Sequence, residues 1–359
     1  MHHPFRHIST MANYLGIAQN SPLHQIKLPA QLEFNSTIAT TLHEQIQVWC
    51  KRDDLLHPII SGNKWRKLQH ALATFETQSE ALATQASRPR RIVSFGGAYS
   101  NHLHALAYCC NKLNIALIAV IRGQYLANET LNPTLQDMTL WGARLHFVSK
   151  TDYRRRHDPE YLQQLKSKFD ADLIIPEGGS QISSLHGLAQ MMQEIQEQAQ
   201  ELELAQLNAS IFDEFFLPVA SGATMAGVVK AEHATNKSIA KTITGVAVLK
   251  GEGYLEGLVQ QFLPQFRPPE TSDWQIEHHY SFGGYAKTSP ELDAFCASVK
   301  EINHHPDAEE KSIRIEPCYS GKLFYAVNNM LEQGRFSKGS KLLLLHTGGL
   351  QGKRPPTKP

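Results

Sequence analysis

Charge of one sign is missing from this chain: Lys+Arg number 35 against 34 Asp+Glu in 359 residues, a formal net charge of +1. No long-range field gathers nucleic acid or an anionic membrane face, so a small molecule is the expected partner. No apolar run approaches the length of a membrane span. Cysteine is scarce: five residues, including the adjacent Cys109-Cys110 and no C-x-x-C, form neither a disulfide framework nor a zinc ribbon. Thiols kept reduced, and an N-terminus (Met1-His2-His3-Pro4-Phe5-Arg6-His7) without the apolar core of a signal peptide, predict a soluble, cytoplasmic protein. The 18 histidines include His102-x-His104, His278-His279 and His304-His305 but no H-E-x-x-H, so no metal is expected. No G-x-S-x-G is present, because Ile182 follows Ser180-Gln181, and a serine-hydrolase elbow is unsupported. Internal repeats and low-complexity segments are absent.

What the chain does hold is apolar sequence, 42% of the total, enough for a large core and by length for two domains. Residues up to about 46 form a mixed arm whose periodicity is too weak to assign. Gln47–Lys51 reads as a short strand. Trp65, Leu68, Leu72 and Phe75 recur at helical spacing, and 79–90 is polar and predicted as a loop. A regular alternation follows. Strands are predicted at Ile92–Phe95, Ile115–Ile121, Leu145–Val148 and Leu173–Ile175. Helices are predicted at 101–113, at 134–141 and near Tyr161. Beyond Pro176 come a long helix over 184–204, strands at 215–219 and 245–249 with a helix opening near Met225 between them, a short strand at Ile313-Arg314-Ile315, and a strong one at Lys341–Leu345. Strands apolar on both faces and separated by helices indicate an α/β fold with parallel sheets.

Several strand ends carry groups suited to chemistry. Ser221-Gly222-Ala223-Thr224-Met225-Ala226-Gly227 follows an apolar strand and opens a helix, where free amides and hydroxyls suit a phosphate. It is no P-loop, because Val228-Val229 stand where Lys and Ser/Thr belong. A plain strand-to-helix turn explains it equally well. Gly96-Gly97-Ala98-Tyr99-Ser100-Asn101-His102 is a second such junction, suited to an anion such as a carboxylate, although helix capping alone accounts for it more simply. Tyr285 and Tyr319 each stand in a glycine-bearing turn, where ordinary packing is the commoner role. Lys64, in Ser61-Gly62-Asn63-Lys64-Trp65-Arg66-Lys67, sits at a helix start. A lone lysine is usually a solvated surface charge. A lysine, a phosphate-type loop, an anion-type turn and two tyrosine turns together match what a pyridoxal phosphate site requires.

In order along the chain, Gly62-Asn63-Lys64-x-Arg66-Lys67, Gly96-Gly97-x-x-Ser100-Asn101-His102, Gly222-x-Thr224-x-Ala226-Gly227, Gly284-Tyr285 and Tyr319-Ser320-Gly321-Lys322 resemble the aminocyclopropane-carboxylate deaminase and D-cysteine desulfhydrase family. The likeness spans roughly 51–349. It implies fold type II of the pyridoxal enzymes, with two three-layer αβα domains: a larger one from 1–66 and 180–359, and a smaller inserted one, 67–179. It implies a homodimer with pyridoxal 5'-phosphate in the cleft between domains. Lys64 would carry the cofactor as a Schiff base and then serve as the proton-transfer base. Asn101 would hydrogen-bond the ring 3-hydroxyl, and Ser100 and the His102 amide would face the substrate carboxylate. Thr224, with Ser221, Gly222 and Ala223, would bind the phosphate. Tyr285 and Tyr319 would be the active-site tyrosines, and Ser320 would stand at the pyridine nitrogen.

Position 320 departs from the ring-opening members of that family, which carry glutamate there, whereas desulfhydrase-like members carry threonine. A hydroxyl favours a weaker electron sink, which suits β-elimination because the leaving group takes the electrons. After His102 the chain reads Leu103-His104-Ala105-Leu106, where the family's desulfhydrases usually carry an arginine and a polar sequence. The expectation is a lyase acting on a small amino acid, with D-cysteine going to pyruvate, sulfide and ammonia as the first guess. Deamination of 1-aminocyclopropane-1-carboxylate and a non-catalytic cofactor-binding relative are the alternatives.

Overall fold

A computed structural model describes residues 4–33, 46–82, 88–204, 209–235, 237–263 and 274–353. Its strands in chain order are β1 (Leu23–Ile26), β2 (Gln47–Lys51), β3 (Arg91–Gly96), β4 (Ala116–Arg122), β5 (Arg144–Val148), β6 (Leu173–Ile175), β7 (Phe212–Val219), β8 (Ala240–Ala247), β9 (Trp274–Glu277) and β10 (Lys341–Leu345). The chain divides into two compact units. Met1–Gln19, Leu56–Gly187 and Gln351–Pro359 belong to the first; Asn20–Leu55 and Leu188–Leu350 belong to the second. The boundaries expected after 66 and 179 both fall inside the first unit, which therefore includes Lys64.

The first unit is built on a four-stranded, all-parallel sheet in the order β5-β4-β3-β6. β3 and β4 are buried along nearly their whole length, as strands covered on both faces must be. Helix Asn63–Leu82 contributes Trp65, Leu68, Leu72 and Phe75 to one core with Ile92, Leu103, Leu106 and Leu117. It extends past the expected loop start at 79, and residues 83–87 of that expected loop lie outside the described residues. On the other face Tyr153, Tyr161, Leu165 and Phe169 pack against Val93, Phe95 and Val120. The N-terminal arm, unassigned from sequence, contains helix Pro4–Leu15, which seats Ile8, Met11 and Leu15 in the first of these cores.

The second unit holds a six-stranded sheet in the order β1-β2-β10-β7-β8-β9. All its pairings are parallel except β1 with β2, so an antiparallel edge strand completes a parallel sheet. Leu342–Leu345 of β10 are fully buried between β2 and β7. The long helix runs Ser184–Glu201, and Ala223–Ala234 follows β7. Ile313-Arg314-Ile315 is not a strand. Ile313 and Ile315 are buried as expected, but the Arg314 carbonyl accepts from His346 Nε2 at 2.8 Å and the Ile313 amide donates to the Asn303 carbonyl at 3.3 Å. These groups are committed to a loop, leaving no ladder for a strand to join. The edge strand β9 was not anticipated; it is short and only partly buried, so it lacks the apolar signal of the central strands.

The charged run Lys51-Arg52-Asp53-Asp54 is buried in this unit. Lys51 Nζ donates to the Ser21 carbonyl at 2.6 Å, Glu194 Oε2 at 2.9 Å and Gln198 Oε1 at 3.1 Å. Ser21 Oγ donates to Asp53 at 2.6 Å. Arg52 forks onto Asp54 through Nε at 2.9 Å and Nη2 at 2.8 Å, and donates to the Ser312 carbonyl at 2.9 Å. Burial opposes the Asp54 carboxylate, but the His346 ring and Arg52 outweigh it and hold its pKa below the ordinary value. Breaking a buried pair leaves an uncompensated charge. Asp54→Asn is therefore expected to lower the unfolding free energy by about 3 kcal/mol in urea denaturation. A loss under about 1 kcal/mol would mean that carbonyl contacts alone satisfy Arg52.

Candidate cofactor and substrate site

In the first unit, Gly62 takes φ 67° and turns the chain into helix Asn63–Leu82, setting Lys64 in its first turn. Lys64 Nζ donates to Asn63 Oδ1 at 2.8 Å. Burial pulls its pKa down to about 8, because an ammonium loses more than an amine when water is removed. One turn on, Lys67 is fully buried and donates to Ser180 Oγ at 2.8 Å, tying the helix to the turn after β6. Burial, reinforced by the Lys64 charge, lowers the Lys67 pKa well below its ordinary value.

The turn after β3 carries Ser100, Asn101 and His102. Ser100 caps helix Asn101–Lys112, accepting from the Leu103 amide at 3.2 Å. The paired glycines before it play different parts. A Cβ at Gly96 would lie 2.5 Å from Ser100 Oγ and 2.7 Å from Leu103 Cδ1, so glycine there lets the cap close; a Cβ at Gly97 would meet nothing within 4 Å. Asn101 Oδ1 accepts from Gln351 Nε2 at 2.7 Å, a partner the sequence did not suggest.

His102 is buried. Ser94 Oγ donates to the Ile175 carbonyl at 2.7 Å, so it accepts from His102 Nε2–H at 2.8 Å. Nδ1 is thereby left as a buried lone pair without a hydrogen-bond partner among the described residues. Burial, with the Lys64 and Lys67 charges nearby, pushes the ring's pKa well below the ordinary value, and it stays neutral.

In the second unit, the loop after β7 leads into helix Ala223–Ala234. Gly222 takes φ 76°, and a Cβ there would stand 2.4 Å from the Leu258 carbonyl oxygen, so a glycine is required on both counts. Thr224 is buried and Ser221 is half-buried in the opening of this helix, whose first-turn amides have no intrahelical acceptors. Tyr319 OH donates to Tyr285 OH at 3.1 Å, with the rings edge-on at 5.9 Å. Burial, then the neighbouring Tyr285, drives the Tyr319 pKa well above its ordinary value, so its hydroxyl stays protonated. The segment bearing Tyr285 puts Phe282, Gly283, Gly284 and Ala286 at positive φ. Lys322 holds it in that shape: its buried ammonium donates to the carbonyls of Ser281 at 2.8 Å, Gly284 at 2.7 Å and Val248 at 3.0 Å.

Ser320 is fully buried at the start of helix Ser320–Glu332, and its surroundings reveal a residue that the sequence reading missed. Glu316 folds its carboxylate onto that helix start, accepting from the amides of Cys318 at 2.6 Å, Tyr319 at 2.8 Å and Ser320 at 2.9 Å. Ser320 Oγ accepts from the Glu316 amide at 3.0 Å and lies 3.3 Å from Glu316 Oε1. No motif marks Glu316; an acidic residue four positions before a helix-opening serine was the available signal. Burial outweighs these hydrogen bonds and pushes the Glu316 pKa up to about 7. A raised pKa means the native protein keeps a proton that the unfolded chain has already released. Stability is therefore expected to fall as pH rises from about 4.5 to about 7. Glu316→Gln should flatten that slope in melting curves taken across the interval, and a slope unchanged in the variant would assign it to another group.

The structure thus groups Lys64, Ser100, Asn101 and His102 in the first unit, and Ser221, Gly222, Ala223, Thr224, Tyr285, Tyr319 and Ser320 in the second. Among the described residues, no helix is long and apolar enough to cross a membrane. Residues 31–348 match the sequence family described as pyridoxal-phosphate dependent enzyme. The chain is 29% identical over 342 residues to the bifunctional D-cysteine desulfhydrase/1-aminocyclopropane-1-carboxylate deaminase of Arabidopsis thaliana, covering 92% of this chain and 77% of that protein. It is 26% identical over 339 residues to the D-cysteine desulfhydrase of Salmonella schwarzengrund, covering 91% and 93%. Among solved structures, an ACC deaminase homologue superposes with a TM-score of 0.65 at 24% identity, covering 95% of each chain. The fold is that of the type II pyridoxal enzymes, and the chain belongs to the pyridoxal-phosphate dependent enzymes with pyridoxal phosphate as its cofactor.

Proposed function

We propose that this enzyme removes the α-proton of a small amino acid and expels a β-substituent, with D-cysteine as the first candidate substrate. The residues present fit the cofactor. Lys64 offers an amine whose burial makes the uncharged form accessible near neutral pH, and Gly222 opens a helix N-terminus where a side chain would collide with Leu258. When bound, pyridoxal phosphate supplies the electron sink that acidifies the α-carbon of an attached amino acid. In this reading Lys64 Nζ carries the cofactor and, once released, takes the α-proton. The helix-start amides with Ser221, Gly222, Ala223 and Thr224 hold the phosphate. Asn101 meets the ring 3-hydroxyl, while Ser100 and the His102 amide orient the substrate carboxylate. Tyr319, kept protonated, and Tyr285 are the hydroxyls available to a departing group.

The observation that carries the choice of elimination is position 320. Its side chain is a hydroxyl that accepts from the Glu316 amide, and the neighbouring Glu316 carboxylate is taken up by the amides of Cys318, Tyr319 and Ser320, so position 320 itself brings no carboxylate to a pyridine nitrogen. A weaker sink suffices when the leaving group departs with its electrons. The names of the relatives support both substrates, since the Arabidopsis protein is named for each activity and the Salmonella protein for D-cysteine. The cysteines of the described residues are all free, which supports a reducing cytoplasm, and we extend the proposal to the homodimer that the family resemblance implies.

Purified enzyme given D-cysteine is expected to release sulfide and pyruvate in equal amounts, and to form little or no 2-oxobutanoate from 1-aminocyclopropane-1-carboxylate. The reverse pattern would move the assignment to ring opening, and silence on both would reject both substrates. Lys64→Ala is expected to cut turnover by about a thousandfold or more. After borohydride treatment, mass spectrometry should find the cofactor covalently attached at Lys64 in the wild type and absent from the variant. Attachment elsewhere would displace Lys64 from its role.

A further inference from the structure

The first unit carries a cavity of about 700 Å³ at the edge of its sheet where β3, β4 and β5 end. That volume suits a small-molecule site. Its lining is strongly cationic. Arg122 closes β4, Lys150 and Arg154 lie on the short helix Lys150–Arg154 that follows β5, and Arg156 stands just beyond.

A single carboxylate, Glu177, lines the same cavity, and it is already engaged: Tyr153 OH and Arg156 Nε both donate to it at 2.6 Å. The other acids on this segment are also occupied. Asp152 accepts from Ser149 Oγ at 2.7 Å, and Asp158 pairs with Arg155 at 3.2 Å. Arg156 is thus neutralised, whereas Arg122, Lys150 and Arg154 make no ion pair among the described residues. Like charges gathered at one concavity repel, and the chain's near-zero net charge makes their concentration here a local feature. An anionic ligand would relieve that repulsion.

Aromatic rings complete the lining. Tyr99 is 62% exposed and Tyr125 is 69% exposed, both large apolar faces left to solvent at the mouth of a charged pocket. Arginine and tyrosine together recognise planar rings bearing phosphate. The cavity also touches the substrate turn, since Asn132 Nδ2 donates to the Ala98 carbonyl at 3.1 Å and both residues line it.

We infer that this cavity binds a phosphorylated small molecule with a planar ring, of the size of a nucleoside diphosphate, at a site distinct from the loop Ser221–Gly227. The inference does not depend on which amino acid the enzyme consumes. It is tested by calorimetric titration of ADP and of inorganic pyrophosphate into enzyme saturated with pyridoxal phosphate, so that the cofactor's phosphate site is filled. ADP is expected to bind once per chain, more tightly than pyrophosphate, with affinity falling as salt rises. A combined Arg122→Gln, Lys150→Gln and Arg154→Gln variant should weaken ADP by about tenfold or more. These side chains lie on the surface, and the single Lys150→Glu variant gives the same reading if the triple variant folds poorly. Pyrophosphate binding as tightly as ADP would overturn the aromatic part. Absence of heat with either probe at low salt, or ADP binding unchanged in the variants, would overturn the site.

Discussion

Parallel strand pairing brings the C-terminal ends of its strands to one edge of a sheet, and the placement of the chemistry in this protein depends on that constraint. In the first unit the edge collects the turn at 96–102, the segment after β4 and the turn at 176–180, although these are far apart in sequence. In the second it collects the loop at 220–224 and the turn at 346–349. Helices begin directly after two of these turns, so helix-start amides and small hydroxyl residues arrive together. No special loop architecture is needed to assemble such a site.

Burial is the second theme. Lys51, Arg52, Lys67 and Lys322 are long charged side chains with almost no exposure, and each is met by carbonyls, carboxylates or a hydroxyl. Lys322 and Arg52 act as cross-links between segments distant in sequence, which a hydrophobic side chain could not do with the same directionality. The dry environment that forces these pairings also lowers the Lys64 pKa and raises that of Glu316. The same physics that makes a buried charge costly therefore shifts the Lys64 amine toward its uncharged form.

The alternation of apolar strands with helices was legible because central parallel strands are apolar on both faces. Arg91–Gly96, Ala116–Arg122 and Lys341–Leu345 fall within a residue or two of their expected positions. Ile313-Arg314-Ile315 misled because burial looks the same in a strand and in a packed loop; where the Arg314 carbonyl goes is decided by His346, 32 residues away. The N-terminal helix was legible only afterwards, once Ile8, Met11 and Leu15 were seen to have a core to enter. Lys64 stood out in sequence by the company of other motifs, whereas Glu316 had no such company.

By itself the sequence determined the α/β class and the parallel sheets and singled out candidate residues for a cofactor site, because these follow from local periodicity and from turn chemistry that neighbours in the chain can express. Only the tertiary structure decided the protonation states and partners. The His102 tautomer set by Ser94 and Ile175, the Glu316 carboxylate over Ser320, the Gln351 amide on Asn101 and the concentration of Arg122, Lys150 and Arg154 around one cavity all depend on segments brought together by folding. Charge and hydrogen bonding act through space, and spacing along the chain does not record them.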